Sequence, residues 1–481
     1  MSGVDQGSPP IGDYVPPEGS IPTLPVPSLE GVRKLHLIGI GGAGMRGIAR
    51  ILLARGIDVS GSDLKRFPGE EELRRAGAEI SIGHRAEQLD EADAVVVSSA
   101  IPPGNPELAE ARRRELPVFA RAQVLGALAS GMRTFAVAGT HGKSTTTSML
   151  AVILERAGLD PTFVIGGDLN ESGSGARHGA SPFFVAETDE SDGSFLLMHP
   201  EVGIVTNVEA DHLDFYRDEP EIRAAFARFV AQAEHVIAWG DDPGVASVLA
   251  AGGRSDAVTY GVGAANTARL EPTETGTGRL HLPGGGSVEL EVQVPGEHNL
   301  RNGAAAILAA IHAGVDPSTA AAALSSFTGV RRRFEHRGEA RGATFVDDYA
   351  HLPTEIAVTL RAAKATKHER LVAVFQPHRY SRTQALWRSL GESLGEADLV
   401  VVTDVYDAGE EPIPGVSGKL LIDALAEARP SKRMVYLPRR GDVVRFLERE
   451  VRPGDLVLTL GAGDITMVAE EILELVREDG A

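Results

Sequence analysis

The sequence contains no cysteine, so disulfides, thiolate metal sites and thiol nucleophiles are all excluded. Lysine is almost as scarce, with seven residues against 40 arginines, and Lys143 is the sole lysine between positions 66 and 363. Positive charge is in short supply overall. The formal net charge of −20 argues against a nucleic-acid or anionic-membrane partner, because either requires a basic footprint. No stretch approaches the roughly 20 apolar residues that span a bilayer. Residues 1–32 lack Lys, Arg and any sustained apolar run, so they do not form a secretory signal. These absences point to a cytoplasmic globular protein.

What is present suits several domains. At about 150 residues per domain, the length of 481 residues corresponds to three. Residues 1–32 carry seven prolines among Gly, Ser and acidic residues and read as a disordered lead-in. Strand-like runs at 35–38, 57–60 and 94–97 then alternate with helical segments at 48–55 and 70–76, the pattern of an open parallel sheet. A second alternation has strands at 134–138, 183–186, 202–206 and 235–238. Residues 251–296 are Gly- and Thr-rich and predict β-hairpins beside the main sheet, closed by a helix over 302–313. A third alternation has strands at 344–346, 371–375, 399–403 and 456–459. The expected fold is α/β in three domains, over 33–131, 132–330 and 331–481.

Two glycine turns stand out. Gly39-Ile40-Gly41-Gly42-Ala43-Gly44 lies between a strand and a helix. Glycine there permits a tight turn and close approach to a diphosphate, whose charge sits at the helix N-terminus. Asp63, at the end of the next strand, is placed to bond a ribose hydroxyl. Alone, this turn fits an NAD site, another nucleotide diphosphate, or a structural turn. The second turn is Gly139-Thr140-His141-Gly142-Lys143-Ser144-Thr145. Its N–H groups suit phosphate, Lys143 suits phosphate charge, and the Ser144 hydroxyl suits magnesium. Val137 stands where a full P-loop has its first glycine, so this is a shortened variant.

Six further segments carry polar chemistry. Glu187-Thr188-Asp189-Glu190-Ser191-Asp192 follows a strand, where parallel sheets bind ligands and where carboxylates suit magnesium; a solvated acidic loop has the same composition. His212, among the carboxylates of residues 206–214, reads equally as a metal ligand or a structural residue. Asn299 and Asn302 are spaced to read an adenine edge, or Asn302 caps a helix. Arginines in 331–333 and 379–382, with the Asp347–His351 segment, suit phosphate or carboxylate recognition or a solvated face.

Taken in order, these motifs closely resemble those of the Mur ligases, specifically the branch that adds L-alanine to UDP-N-acetylmuramate. They are GIGGAGM at 39–45, AGTHGKSTT at 138–146, AETDESDGSF at 186–195, TNVEADHLD at 206–214, GEHNLRN at 296–302, RRRFEHRG at 331–338, DDYAHLPTE at 347–355 and QPHRYSRT at 376–383. The resemblance implies a Rossmann-like first domain that holds UDP through Gly41, Gly42, Ala43, Gly44, Asp63, His84, Ser98, Ser99, Ala100 and Ile101. It implies a P-loop ATPase-like central domain with a small β subregion, binding ATP through Gly139, Thr140, His141, Gly142, Lys143, Ser144 and Thr145. Asn299, Asn302, Arg333 and Asp347 join that ATP site, and Mg2+ sits near Ser144, Glu187 and His212. A Rossmann-like C-terminal domain closes over the site and brings Tyr349, His351, His378, Arg379 and Arg382 toward the amino acid. The partners implied are UDP-N-acetylmuramate, L-alanine and ATP, with a monomer or homodimer as the expected assembly.

Two departures bear on roles. Leu352 stands where the family has a second histidine, and Ser144 where it more often has threonine, which preserves the hydroxyl. Several relatives acting later in the pathway place a carbamylated lysine on magnesium, and no lysine lies between 144 and 363. The implied chemistry is activation of a carboxylate as an acyl phosphate, with Lys143 and Arg379 as charge-bearing catalytic residues and His351 a candidate base. A tripeptide-recycling ligase shares most of these motifs. An NAD-dependent dehydrogenase would leave Lys143 and the acidic segment idle, and a non-catalytic nucleotide-binding regulator would lack substrate-dependent turnover.

Overall fold

Apolar runs buried on both faces form parallel strands, and these assemble into three sheets. The computed structural model describes residues 25–98, 101–170, 173–191, 193–209, 211, 215–273 and 276–479. The first sheet has five parallel strands in the order Glu79–Ile82, Asp58–Asp63, Lys34–Ile38, Ala94–Val97, Val118–Ala120. Chain order reverses beside the central strand Lys34–Ile38, and the crevice at the carboxyl ends there is where such sheets bind ligands.

The second sheet has ten strands, with Arg133–Ala138 between Val202–Val205 and Phe183–Glu187. The predicted hairpins lie within this sheet and not beside it. Val258–Gly261 pairs parallel with His235–Trp239, Ala268–Pro272 pairs parallel with Val258–Gly261, and Thr277–His281 and Ser287–Glu291 complete an antiparallel edge. The physical reason is a shared apolar face: Tyr260, Leu270, Leu280 and Leu290 pack in one core with helix Glu297–His312. The third sheet runs Glu335–Ala340, Ala343–Asp348, Asp455–Leu460, Arg370–Phe375, Leu399–Val402, Arg433–Tyr436, parallel apart from the first pair.

Helices begin earlier than apolar periodicity indicates. Ala43–Ala54 starts directly after Gly42, and Glu297–His312 directly after Gly296. In both, the first two positions are small or polar and unburied, and the buried apolar positions begin within the first turn at Met45 and Leu300. The expected disordered lead-in over 1–32 is corrected for its last part. Pro25 accepts a hydrogen bond from Gln123 Nε2 (2.9 Å), while Leu29 and Val32 pack against the first core. Apolar side chains spaced among the prolines give this stretch something to bury; residues 1–24 lie outside the described residues.

The cores divide unevenly. One continuous apolar cluster runs from Leu35 and Ile48 of the first layer to Ala176, Phe195 and Phe226 of the second. The third sheet has its own cores on its two faces. The first two layers therefore share an apolar contact, whereas several contacts between the second and third are polar. No helix among the described residues is long and apolar enough to cross a membrane.

Candidate active site

The central glycine turn is built where strand Arg133–Ala138 enters helix Lys143–Arg156. Gly139 has φ +136°, and a Cβ there would collide with the Thr206 hydroxyl. Gly142, at φ +83°, caps the helix, and a Cβ on it would lie 2.7 Å from Asn302 Oδ1. Asn207 braces the turn from the side: its Oδ1 accepts from His141 N (2.9 Å) and its Nδ2 donates to His141 O (3.0 Å). Thr140 Oγ1 accepts from Glu209 N at 2.9 Å.

Lys143 Nζ donates to Gly139 O at 2.6 Å and pairs with Glu190 Oε1 at 2.7 Å. Burial disfavours its charge, but Glu190, Asp189 and Glu187 outweigh burial and its pKa is raised. Asp189 is held ionised in turn: burial would raise its pKa, but Arg121, 3.4 Å away, and Lys143 lower it. Ser144 Oγ donates to Glu187 Oε1 (3.0 Å), whose Oε2 accepts from Gly166 N (2.6 Å). A hydroxyl and a carboxylate thus meet beside the turn, the hard-oxygen chemistry magnesium uses. Thr145 is buried in the same helix. Asn299 and Asn302 are buried in the first two turns of helix Glu297–His312, linked by an Nδ2–Oδ1 contact of 3.4 Å.

His141 joins this turn to the third sheet. Its Nε2 lies 3.3 Å from Glu209 Oε2, and its Nδ1 lies 3.2 Å from Glu355 Oε1 at the start of helix Pro353–Lys364. Burial opposes charge, but the two carboxylates prevail and raise its pKa to about 9. Thr354 donates to Glu209 across the same boundary at 3.0 Å. Glu355 Oε2 also accepts from His351 N at 2.9 Å, so one carboxylate touches both the phosphate turn and the amino-acid-side segment.

Tyr349, His351, His378 and Arg382 are brought together. The rings of Tyr349 and His351 meet edge-on at 5.3 Å, His351 and His378 at 6.1 Å, and Arg382 lies 3.4 Å from His378 Nδ1. His378 also stacks on Tyr406 at 5.6 Å. Burial and the nearby cations lower its pKa to about 4; burial, with Arg382, lowers that of His351. Arg379, at φ +70°, starts the helix Tyr380–Ser393 and reaches toward Glu410. Arg333 lies over the Tyr349 ring at 5.2 Å. Asp347 is placed differently: it is fully buried, with Thr459 (2.6 Å), Thr466 (2.7 Å) and Arg332 (3.2 Å) on its oxygens. Those partners lie in its own domain.

At the first glycine turn, Asp63 Oδ2 accepts from Gly41 N at 2.9 Å. Ser98 and Ile101 close over Gly39, where a Cβ would lie 3.4 Å from Ser98 Oγ and 3.2 Å from Ile101. Gly42 and Ala43 form the helix start, and a Cβ on Gly44 would collide with Arg121. His84 Nδ1 contacts Ser62 Oγ (2.8 Å) and Glu107 Oε2 (3.0 Å). Ser99, Ala100 and His212 lie outside the described residues.

Models of three consecutive protein-family domains match the chain: "Mur ligase family, catalytic domain" over 34–133, "Mur ligase middle domain" over 137–310, and "Mur ligase, glutamate ligase domain" over 332–463. The chain belongs to the Mur ligase family. This Mur ligase is 46% identical over 456 residues to the UDP-N-acetylmuramate–L-alanine ligase of Pelotomaculum thermopropionicum, covering 93% of this chain and 98% of that one. It is 48% identical over 466 residues to the enzyme of the same name from Saccharopolyspora erythraea, covering 94% and 95%. Among solved structures, the UDP-N-acetylmuramate–alanine ligase of Thermotoga maritima superposes with a TM-score of 0.80 at 30% identity, covering 93% of this Mur ligase and 99% of that chain. A murein peptide ligase from Psychrobacter arcticus gives 0.70 at 27%, covering 92% and 98%.

Several residues of this Mur ligase that touch the turns were not singled out from sequence. Glu190, Asn207, Glu209 and Glu355 lie inside the quoted motifs, so their positions were visible but not their partners. Arg121 and Glu107 lie outside every motif, and only the packing of distant segments reveals them.

Proposed function

We propose that this Mur ligase joins L-alanine to the lactoyl carboxylate of UDP-N-acetylmuramate, splitting ATP to ADP and phosphate, as a step of peptidoglycan precursor synthesis in the cytoplasm. The observation that carries the reading is the meeting, at the His141–Glu355 contact, of the Lys143 turn with the cluster of Tyr349, His351, His378 and Arg382. Near-full-length similarity to L-alanine-adding relatives supports the choice of acceptor and amino acid.

In this reading ATP lies on Gly139–Thr145, flanked by Asn299, Asn302, Arg333 and the Asp347 segment. UDP lies on Gly41–Gly44, Asp63, His84 and the turn from Ser98 to Ile101. A carboxylate oxygen of the sugar attacks the γ-phosphorus, the bond from that phosphorus to ADP breaks, and an acyl phosphate forms. Lys143 offsets the charge on the transferring phosphoryl group. Ser144 and Glu187 would hold magnesium, with His212 added by the family resemblance. When bound, magnesium supplies further neutralisation of phosphate charge.

The amine of alanine then attacks the acyl carbon, and phosphate leaves. His351 suits the proton acceptor: Tyr349 O (3.1 Å) and Glu355 Oε2 (3.3 Å) both accept from Nδ1, which leaves the Nε2 lone pair of the neutral ring available. Arg379 offsets the tetrahedral oxyanion. Contact between the second and third domains excludes water that would hydrolyse the acyl phosphate.

Phosphate release from MgATP and UDP-N-acetylmuramate, compared with L-alanine, other amino acids and the intact tripeptide, tests the reading. Release that requires both sugar and L-alanine is expected. Release with the tripeptide alone would move the chain to recycling, and no sugar-dependent release would overturn the ligase assignment.

A further inference from the structure

Glu107 is fully buried at the start of helix Pro106–Arg113, in the apolar face formed by Ile38, Leu89, Val95, Leu108 and Ala111. Burial would raise its pKa, but hydrogen bonds from His36 and Ser62 outweigh burial and lower it, so it is ionised. An ionised carboxylate only accepts hydrogen bonds. Its Oε1 faces His36 Nε2 at 3.2 Å, and its Oε2 faces Ser62 Oγ at 2.5 Å and His84 Nδ1 at 3.0 Å.

The network is tied to the first glycine turn. The Ser62 carbonyl accepts from both Gly39 N (2.8 Å) and Ile40 N (3.1 Å), while the Ser62 hydroxyl donates to Glu107. Stability alone does not require this network, since replacing all the members of a buried polar cluster by apolar residues of similar volume is often neutral or stabilising. Because an ionised Glu107 offers no proton, His84 must carry one on Nδ1, which leaves Nε2 as the ring nitrogen outside the network. The ring is 11% exposed, and Nε2 has no partner among the described residues.

We propose that Glu107 is a positioning residue for the sugar nucleotide: it locks His84 with Nδ1 protonated, so that Nε2 presents an acceptor to an N–H or O–H donor of the uridine moiety. The inference rests on the proposed function above. The lock depends on Glu107 having two acceptor oxygens for two imidazoles. Glutamine has one acceptor and one donor, so Glu107→Gln forces one ring to reverse its tautomer or lose its bond.

The test combines calorimetric binding of UDP-N-acetylmuramate and of ATP with 15N NMR of the His84 ring. Wild type is expected to show Nδ1 protonated. Glu107→Gln is expected to bind the sugar nucleotide about 10-fold more weakly while ATP binding is unchanged, and His84→Ala should lose at least as much. Wild-type sugar-nucleotide affinity in Glu107→Gln, alongside weakened His84→Ala, would overturn the positioning role. So would an Nε2-protonated His84 in the wild-type protein, a readout that stands even where Glu107→Gln fails to fold. Wild-type protein that binds ATP but no UDP-N-acetylmuramate would overturn the parent reading as well, and is thereby distinguished.

Discussion

The two glycine turns have the same local plan, a strand entering a helix through glycine, yet they are braced in opposite ways. Residues 39–44 contain no charged side chain, and their polar partners Asp63, Ser62 and, through it, Glu107 come from the same sheet layer. Residues 139–145 contain Lys143 and His141, each held by carboxylates from other segments, and one of those, Glu355, belongs to a different domain. A turn that only holds a diphosphate can rely on backbone amides and helix polarity. A turn where charge moves between atoms needs a cation fixed in advance, and here that turn also contacts the neighbouring domain. The contrast predicts that substitutions at the second turn act on turnover and domain contact, whereas those at the first act on binding.

The largest expected effect is at Lys143. Lys143→Ala should lower ligation by about 10³-fold, in the range of removing a preorganised charge from a transition state. It also leaves Glu190 buried without its cation, a loss of about 3–5 kcal/mol. Lys143→Ala combined with Glu190→Gln should recover the melting temperature and none of the activity. Recovery of both would show that Lys143 serves stability and not chemistry.

Next comes the domain contact. The folded pKa of His141 is raised to about 9 from an ordinary 6.5, so its stabilisation is complete below pH 6.5 and is lost as pH rises through 9. At about 1.4 kcal/mol per pKa step this amounts to about 3 kcal/mol. The melting-temperature gap between wild type and His141→Gln should be widest at low pH and close above pH 9; a gap that is flat with pH would break the assignment of an imidazolium between Glu209 and Glu355.

Smaller effects separate the two turns directly. Gly139→Ala places a side chain at φ +136° and against Thr206, and should destabilise by about 1–3 kcal/mol in denaturant unfolding. Gly42 has φ −63°, and an added Cβ meets nothing closer than 3.5 Å. Gly42→Ala should change stability by no more than about 0.5 kcal/mol, with its effect confined to the KM for the sugar nucleotide. Equal destabilisation by the two alanines would erase the contrast.

Much of the fold was legible because parallel strands buried on both faces leave long apolar runs, as at 134–138 and 371–375. Helix starts were less legible, since Ala43–Gly44 and Glu297–His298 bury little and give no periodic signal. Residues 251–296 predict hairpins beside the main sheet and form part of it instead, because alternation reveals a half-buried strand but not its neighbour. Lys143, Ser144 and Glu187 stand out in the sequence by residue type and strand-end position, and the structure brings them together. Glu190 was visible only as one acid among several until its contact with Lys143 singled it out.

Residue types along the chain fix which chemical groups are available: no thiol, one lysine between positions 66 and 363, glycines in two strand-to-helix turns, and acids at strand ends. Which of those groups meet is set by how the chain folds. Arg121 reaches both Gly44 and Asp189, Glu355 reaches His141, and Glu107 reaches His36 and His84, each across tens or hundreds of positions. Charge pairing and hydrogen bonding act over a few ångströms, whereas residue type is read along the chain. The distance between those two metrics is set by how the sheets fold and pack, and that is where the partners of the charged side chains were settled.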